Sequence, residues 1–441
     1  MLAIEYEGDS PVRTWHSSAE AASAPEIRSH RQNHQDRILR NLVAAFLPHG
    51  YPTSVTSDYL AFQIWDSIQA LCSYVRGMLT SQALLQGVGM GKEAATPTAA
   101  VFQFLMRDLS GMLGGTIFAF FQGSDLDSHA KQWRLFADCF NNVGYALELA
   151  SPHFPQAFLV LACLGSIARA ITGVAGGATR AALTQHFAAA GNAADVSAKE
   201  GSQETATTLV GMLLGMTFLH FAEATQTIWA AFLLLTALHI YANVRAVRSL
   251  CLSSLNAPRL QILLTHALEA QGVSVLSPAE VAAREGLAPP PLQTLYQRVM
   301  GGQGSSLNFG LPLHTLGKHG SLRDVAALCN RHADQRYLLQ AHGRKNHAAV
   351  PGLSVVLRRD ADRRDELQAF AHGWVLLHFL QSEQGRSLVA DDDAASLASA
   401  WVHKQWPQFL TALAGSGWNL ERVALGRGSY SAAWGSALKE A

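Results

Sequence analysis

The segment GVAGGATRAALTQH, residues 173–186, sets a permanent positive charge just after a run of glycines in the most apolar part of the chain. At 3.6 residues per helical turn, Arg169, Gly173, Gly176 or Gly177, Arg180 and Thr184 share one face. The chemistry offered by such a face is anion recognition. Bare main chain allows close approach, and a guanidinium fork donates two parallel hydrogen bonds to a phosphate or carboxylate. A rival reading treats Gly173 and Gly177 as a small-xxx-small face on which another helix packs. The same spacing recurs at Gly111 and Gly115 and at Gly211 and Gly215. Packing alone leaves two arginines unexplained, since at membrane depth each needs a carboxylate, a phosphate or water. A nucleotide loop is a poor match, because GVAGGATR is neither GxxxxGK[ST] nor a GxGxxG following a strand.

Other ionisable groups stand near apolar GxxxG helices. RDLS (Arg107, Asp108) and KEGS (Lys199, Glu200) share a basic-acidic-x-Ser pattern and are read as pairing or gating groups of the same site. They resemble a faint internal repeat of the kind found in transporter folds, and short matches also arise by chance. The segment GSDLDSHAKQWRLFADCFNN spaces Asp127, Lys131, Arg134 and Asp138 by three or four residues, so they can pair along one helical stripe. Arg134, Asp138 and Asn142 are its deeper members and join the candidate ligand-binding set. The alternative is a solvated helix start capped by Asp125 or Asp127. GVGMGK, ending at Lys92, follows a helix rather than a strand and reads as a loop. No nucleophile, base and orienter set and no HExxH is present, so no enzyme activity and no cofactor is expected. Five scattered cysteines without CxxC point away from a zinc site or disulfide framework.

Long helices must position these groups. From residue 47 to about 268 the chain is apolar, nearly free of strand signals, and punctuated by LPHGYP, SPHFP and GNAADVSAKEGS. The pattern predicts helices near 58–86, 97–121, 127–150, 155–190, 200–222 and 226–268. Residues 205–222 and 226–244 lack formal charge and approach the length of a bilayer crossing. A hairpin spanning there, with Glu223 at the turn and Lys199, Arg245 and Arg248 outside, would leave both ends on the positive side. The alternative is a pair of buried helices in a large soluble bundle. Hydrophobic residues make up 49% and charged residues 15%, against roughly 25% charged in average globular chains. The 33 basic and 33 acidic residues cancel, so no nucleic-acid partner is expected.

The expected fold is mainly α: a multi-helix, membrane-type bundle followed by a small α+β C-terminal domain. Residues 1–40 read as a mobile polar arm, 41–268 as the helical core and 269–441 as the C-terminal domain. Within the last, SPAE (277–280) is a capping box with proline at the first helical position. YLLQAHGRKNHAAVPGLSVVLRR suggests two strands around a loop, followed by the amphipathic helix DRRDELQAFAHGWVLLHFLQ. A basic recognition helix is missing after SPAEVAAREGL, which argues against DNA binding.

Several long blocks carry a family resemblance. LPHGYPTSVTSDYLAFQIWDSIQALCSYVRGMLTSQALLQGVGMG, ATPTAAVFQFLMRDLSGMLGG, QGSDLDSHAKQWRLFADCFNN, GVAGGATRAALTQHFA and LTALHIYANVRAVRSL resemble the root UVB sensitive family in order and approximate spacing. The resemblance implies a link to vitamin B6 photoprotection and homeostasis, to ultraviolet-B sensing and to auxin transport. It also implies a membrane of an organelle such as a plastid, mitochondrion or endoplasmic reticulum, and complexes among family members. It transfers no catalytic residues. Two functions follow: a membrane protein that binds or moves a small anionic solute, with a vitamin B6 phosphate as the candidate the resemblance implies, or a non-catalytic scaffold that docks partner proteins at the membrane.

Overall fold

A computed structural model describes residues 43–89, 96–123, 126, 128–222, 224–270, 273–288, 307–316, 322–333, 335–342, 352–381, 391–425 and 430–435, with strand backbone at 3–7, 10–16 and 26–29. Strands β1 (Ala3–Glu7), β2 (Ser10–His16) and β3 (Glu26–Ser29) form an antiparallel meander. The expected polar arm thus contains strand pairing. Within the first strand, Ile4, Glu5, Tyr6 and Glu7 alternate in polarity with a strand's period of two.

Helices α1 (Tyr59–Gly89), α2 (Pro97–Gln122), α3 (Ala130–Ala150), α4 (Phe158–Phe187), α5 (Ala193–Phe221) and α6 (Thr225–Ser249) follow. Thr96 caps α2 by accepting from the Ala99 amide, ahead of Pro97 at the first helical position. The helix expected over 226–268 is broken. α6 stops at Ser249, β4 (Ser254–Asn256) intervenes, and α7 (Ala257–Glu269) restarts with Asn256 capping the Arg259 amide and Pro258 in the first turn. Asn and Pro together define a helix start, which outweighed the continuous apolar pattern.

Among the described residues, three helices are long and apolar enough to cross a membrane: Pro97–Gln122, Phe158–Phe187 and Thr225–Ser249. The expected crossing at 226–244 lies in the last of these. The one expected at 205–222 is not among them: α5 ends at Phe221, and its first half carries Asp195, Lys199 and Glu200. Glu223 lies outside the described residues, as do Lys92, Asp125 and Asp127.

The chain divides into two units, Met1–Leu79 with Leu183–Ala242, and Thr80–Ala182 with Asn243–Ala441. In the first, Tyr59, Phe62 and Phe187 form an aromatic core, and Gly211 and Gly215 of α5 seat Tyr74 and Met78 of α1. In the second, Gly111 and Gly115 of α2 meet Ser166 and Ala170 of α4, while Trp133 and Ala137 of α3 cluster with Ala175. Most outward side chains of α2, among them Phe102, Leu105, Met112 and Phe120, are exposed.

The second unit also holds the C-terminal α+β region: α8 (Pro278–Arg284), β5 (Leu307–Phe309), α9 (Leu322–Arg331), β6 (Tyr337–His342), β7 (Gly352–Leu357), α10 (Arg363–Gln381), α11 (Asp391–Gly415) and β8 (Asn419–Ala424). The reciprocal Ser277–Glu280 capping box opens α8 as the sequence predicts. Strand β7 lies between β5, parallel, and β6, antiparallel. Leu260, Leu263, Leu264 and Ala267 recur at helical spacing and put α7 into the same core as Phe370, Trp406 and Phe409 of α10 and α11.

Candidate functional site

The close approach of α3 and α4 is made by two glycines. A Cβ at Gly144 would stand 3.0 Å from the Gly165 carbonyl oxygen, and one at Gly165 would stand 3.0 Å from that of Gly144. One turn beyond Gly144 comes Glu148; one turn beyond Gly165 comes Arg169; one turn before Gly111 comes Arg107. Glycine contacts thereby bring three charged side chains from three helices to one point. Arg107 Nη2 donates to Glu148 Oε1 at 2.9 Å, and Arg169 Nη1 donates to Glu148 Oε2 at 3.1 Å. The Arg169 guanidinium also lies 5.0 Å from the centre of the Tyr145 ring, a cation–π distance. Arg107 Nη1 pairs with Asp108 at 3.2 Å. Burial is uneven: the Glu148 side chain is 0% exposed, Arg107 18% and Arg169 39%.

The glycine face of α4 is open. A Cβ built on Gly173, Gly176 or Gly177 meets no atom within 4 Å. The pairs Gly111/Gly115 and Gly211/Gly215 are filled by neighbouring side chains, so packing explains two of the three recurrences. Helix periodicity accounts for the difference: Ala168, Ala175 and Thr179 are buried, whereas Gly173 and Gly177 lie on the other side and are exposed. Thr172 hydroxyl donates to the Ala137 carbonyl and ties α4 to α3 on the buried side. Arg180 is half-buried one turn beyond Gly176 and Gly177.

The remaining predicted residues separate into other groupings. Arg134 and Asp138 pair at 3.1 Å along α3, and Asn142 is buried one turn further on. In the first unit, Thr184 hydroxyl donates to Glu200 Oε2 at 2.8 Å and Gln63 Nε2 donates to Oε1 at 3.1 Å. Lys199 reaches the Ala44 carbonyl. Of the thirteen candidates, Arg107, Asp108 and Arg169 converge, and Thr184 meets Glu200.

The structure adds polar groups that sequence reasoning passed over. Glu148, within ALELA, gave only a lone acid in an apolar run. Arg76 is fully buried in α1, where it donates to Thr236 Oγ1 at 3.1 Å, Ser73 Oγ at 3.2 Å and the Cys72 carbonyl at 3.2 Å. Asp58 and His186 meet at 2.9 Å. Lys131, expected to pair along its own helix, instead meets Glu285 at 3.2 Å, and Arg259 closes on the same carboxylate at 3.0 Å. Burial holds the Lys131 ammonium below the usual amine value, an effect that Glu285 only partly offsets. Burial also opposes ionisation of Glu285, but Arg259 and Lys131 outweigh it and keep the carboxyl below the usual range.

Residues 32–271 match the family model described as "Vitamin B6 photo-protection and homoeostasis domain", and residues 274–434 match "Root UVB sensitive protein, C-terminal". The chain is 41% identical over 432 residues to Protein root UVB sensitive 3 of Arabidopsis thaliana, covering 98% of this chain and 94% of that protein. It is 48% identical over 250 residues to RUS family member 1 of Dictyostelium discoideum, covering 56% of this chain and 47% of that protein. Protein root UVB sensitive 2, chloroplastic, of Arabidopsis thaliana is 27% identical over 401 residues, 89% of this chain and 85% of that protein. No solved structure matches the chain.

Proposed function

We propose, from the fact that the chain belongs to the root UVB sensitive family, that it is an integral membrane protein of an organelle that binds or carries a small anionic solute. The family is linked to vitamin B6 homeostasis and the ultraviolet-B response, and a phosphorylated B6 form has the chemistry that the site would accept. The observation that carries this reading is the open glycine face of α4, flanked by Arg169 and Arg180 in a helix long enough to cross a bilayer. Main chain exposed between two guanidiniums admits an anion closely, and phosphate oxygens match the planar fork.

Membrane residence is supported by the distribution of polarity. Helices α2, α5 and α6 expose Phe120, Leu213, Phe221 and Leu234, whereas Glu148 and Arg76 are buried. A contiguous exposed apolar face on long helices is costly in water and is stabilised by lipid. The buried ionisable groups face protein partners, as is required at membrane depth.

Alkaline carbonate should leave the protein in the membrane pellet. In proteoliposomes, uptake of pyridoxal 5′-phosphate should fall at least about tenfold in Arg180→Gln, the loss of one charge-assisted contact of about 1.5–3 kcal/mol. Uptake unchanged by Arg180→Gln, in a protein still resident in the membrane, would overturn the anion reading in favour of a scaffold that docks partner proteins.

A further inference from the structure

We infer that Glu148 is a built-in stand-in for the anion, and that binding of the anion is coupled to uptake of one proton by this carboxylate. This rests on the anion-binding reading above and names how that site is regulated. Glu148 holds both guanidiniums of the crossing: Arg107 at 2.9 Å and Arg169 at 3.1 Å. The two arginines remain partly exposed while the carboxylate is sealed, so an arriving anion meets the outer edges of the same forks. Among the described residues, the charged groups in contact with Glu148 are Arg107 from α2 and Arg169 from α4, with Asp108 beside Arg107 and the Tyr145 ring against Arg169. Two positive and two negative charges already balance there.

An incoming anion makes the crossing net negative. A sealed carboxylate and a second anion drawing on the same guanidiniums repel each other, and the carboxylate, which has no water to turn to, is the member that can relieve this by taking a proton. The exchange balances. The Glu148–guanidinium ion pairs loosen, the anion–guanidinium pairs form, and one proton passes from solvent to a Glu148 oxygen. No oxidant or reductant takes part. The thermodynamic consequence is reciprocal: anion affinity rises as pH falls, and bound anion raises proton affinity.

Sulfate is a suitable probe because it does not titrate between pH 6 and 8, so every proton exchanged belongs to the protein. Calorimetric titration of the full chain in nanodiscs with sulfate, in two buffers of different ionisation enthalpy, counts protons directly. The expected result is about one proton taken up per sulfate and affinity rising about tenfold per unit fall in pH, the linkage slope for a single proton. Glu148→Gln should bind sulfate with no proton uptake, with an affinity flat in pH and tighter than wild type at pH 8. Sulfate binding by the wild-type chain without proton uptake overturns the inference alone and needs no variant to fold. Undiminished proton uptake in Glu148→Gln also overturns it. Absence of sulfate binding overturns the anion reading itself.

Discussion

Glu285→Gln tests the sealed charge cluster of the second unit. The substitution keeps the shape of the side chain and its hydrogen bond from Gln132, but removes the negative charge lying 3.2 Å from Lys131 Nζ and 3.0 Å from Arg259 Nη2. All three side chains are within 3% of complete burial, so water cannot replace the lost charge. Removing one member of a buried ion pair costs about 3–5 kcal/mol. Here two cations are stranded, and they differ in their means of escape. Lys131, already held below the usual amine value by burial, can shed its proton, whereas Arg259 cannot. The expected loss near neutral pH is about 4 kcal/mol, or about 6 °C in Tm for a cooperative body of about 300 residues. The variant should recover stability as pH rises, because its folded state then binds fewer protons than its unfolded state. Thermal and denaturant unfolding in detergent at pH 7 and pH 9 measures both effects, with Lys131→Met/Glu285→Gln as the companion. A loss below about 1 kcal/mol, the range of an exposed pair, or a double variant no more stable than the single, would refute the reasoning.

His372 in α10 is held neutral: burial, with a smaller contribution from His332, pushes it down to about 4. Its Nδ1 meets the Tyr337 hydroxyl at 3.1 Å. A lowered histidine stabilises the fold fully above its unfolded value of about 6.5 and loses that contribution as pH falls towards 4, so unfolding at pH 5 against pH 7 should show about 2 kcal/mol lost. His372→Gln should flatten that limb, and an unchanged slope would contradict the assignment. Gly177→Leu, with no atom within 4 Å of its Cβ, should leave Tm unchanged or raised by up to about 1 kcal/mol equivalent through helix propensity while abolishing sulfate binding. Gly165→Ala places a methyl 2.7 Å from Glu148 Cγ and 3.0 Å from the Gly144 carbonyl, so unfolding should register a loss of about 1–3 kcal/mol from overpacking.

Local chemistry was legible where a cause and its effect lie on one helix. The Ser277–Glu280 capping box, the Arg134–Asp138 pair and the strands around 337–357 follow from spacings of two to four residues. The break at Asn256 was marked by Asn and Pro, but a long apolar run obscured it. The charged crossing was not legible, because Glu148 lies 41 residues from Arg107 and 21 from Arg169, and no periodicity links different helices. Lys131 shows the same limit, since its nearest possible acids in sequence suggested a local stripe while its partner comes from beyond α8. Sequence also named three equivalent GxxxG faces, yet only neighbouring helices could decide which stayed open.

The two clusters Arg107–Glu148–Arg169 and Lys131–Glu285–Arg259 have the same composition, one carboxylate between two cations. Access to solvent separates their roles. In the second cluster the cations are almost wholly buried, and any exchange of partners would require the fold to open, so its charges are fixed and their interaction contributes to cohesion between α3, α7 and the segment after α8. In the first, the acid is sealed while the bases are not. A guanidinium with a free edge can form a bond to a newcomer before releasing its old partner, so the desolvated, unpaired state that makes buried ion pairs costly to break is never visited. Glycines set this asymmetry: Gly144 and Gly165 press Glu148 inward, and the bare face at Gly173 and Gly177 keeps the path beside Arg169 clear.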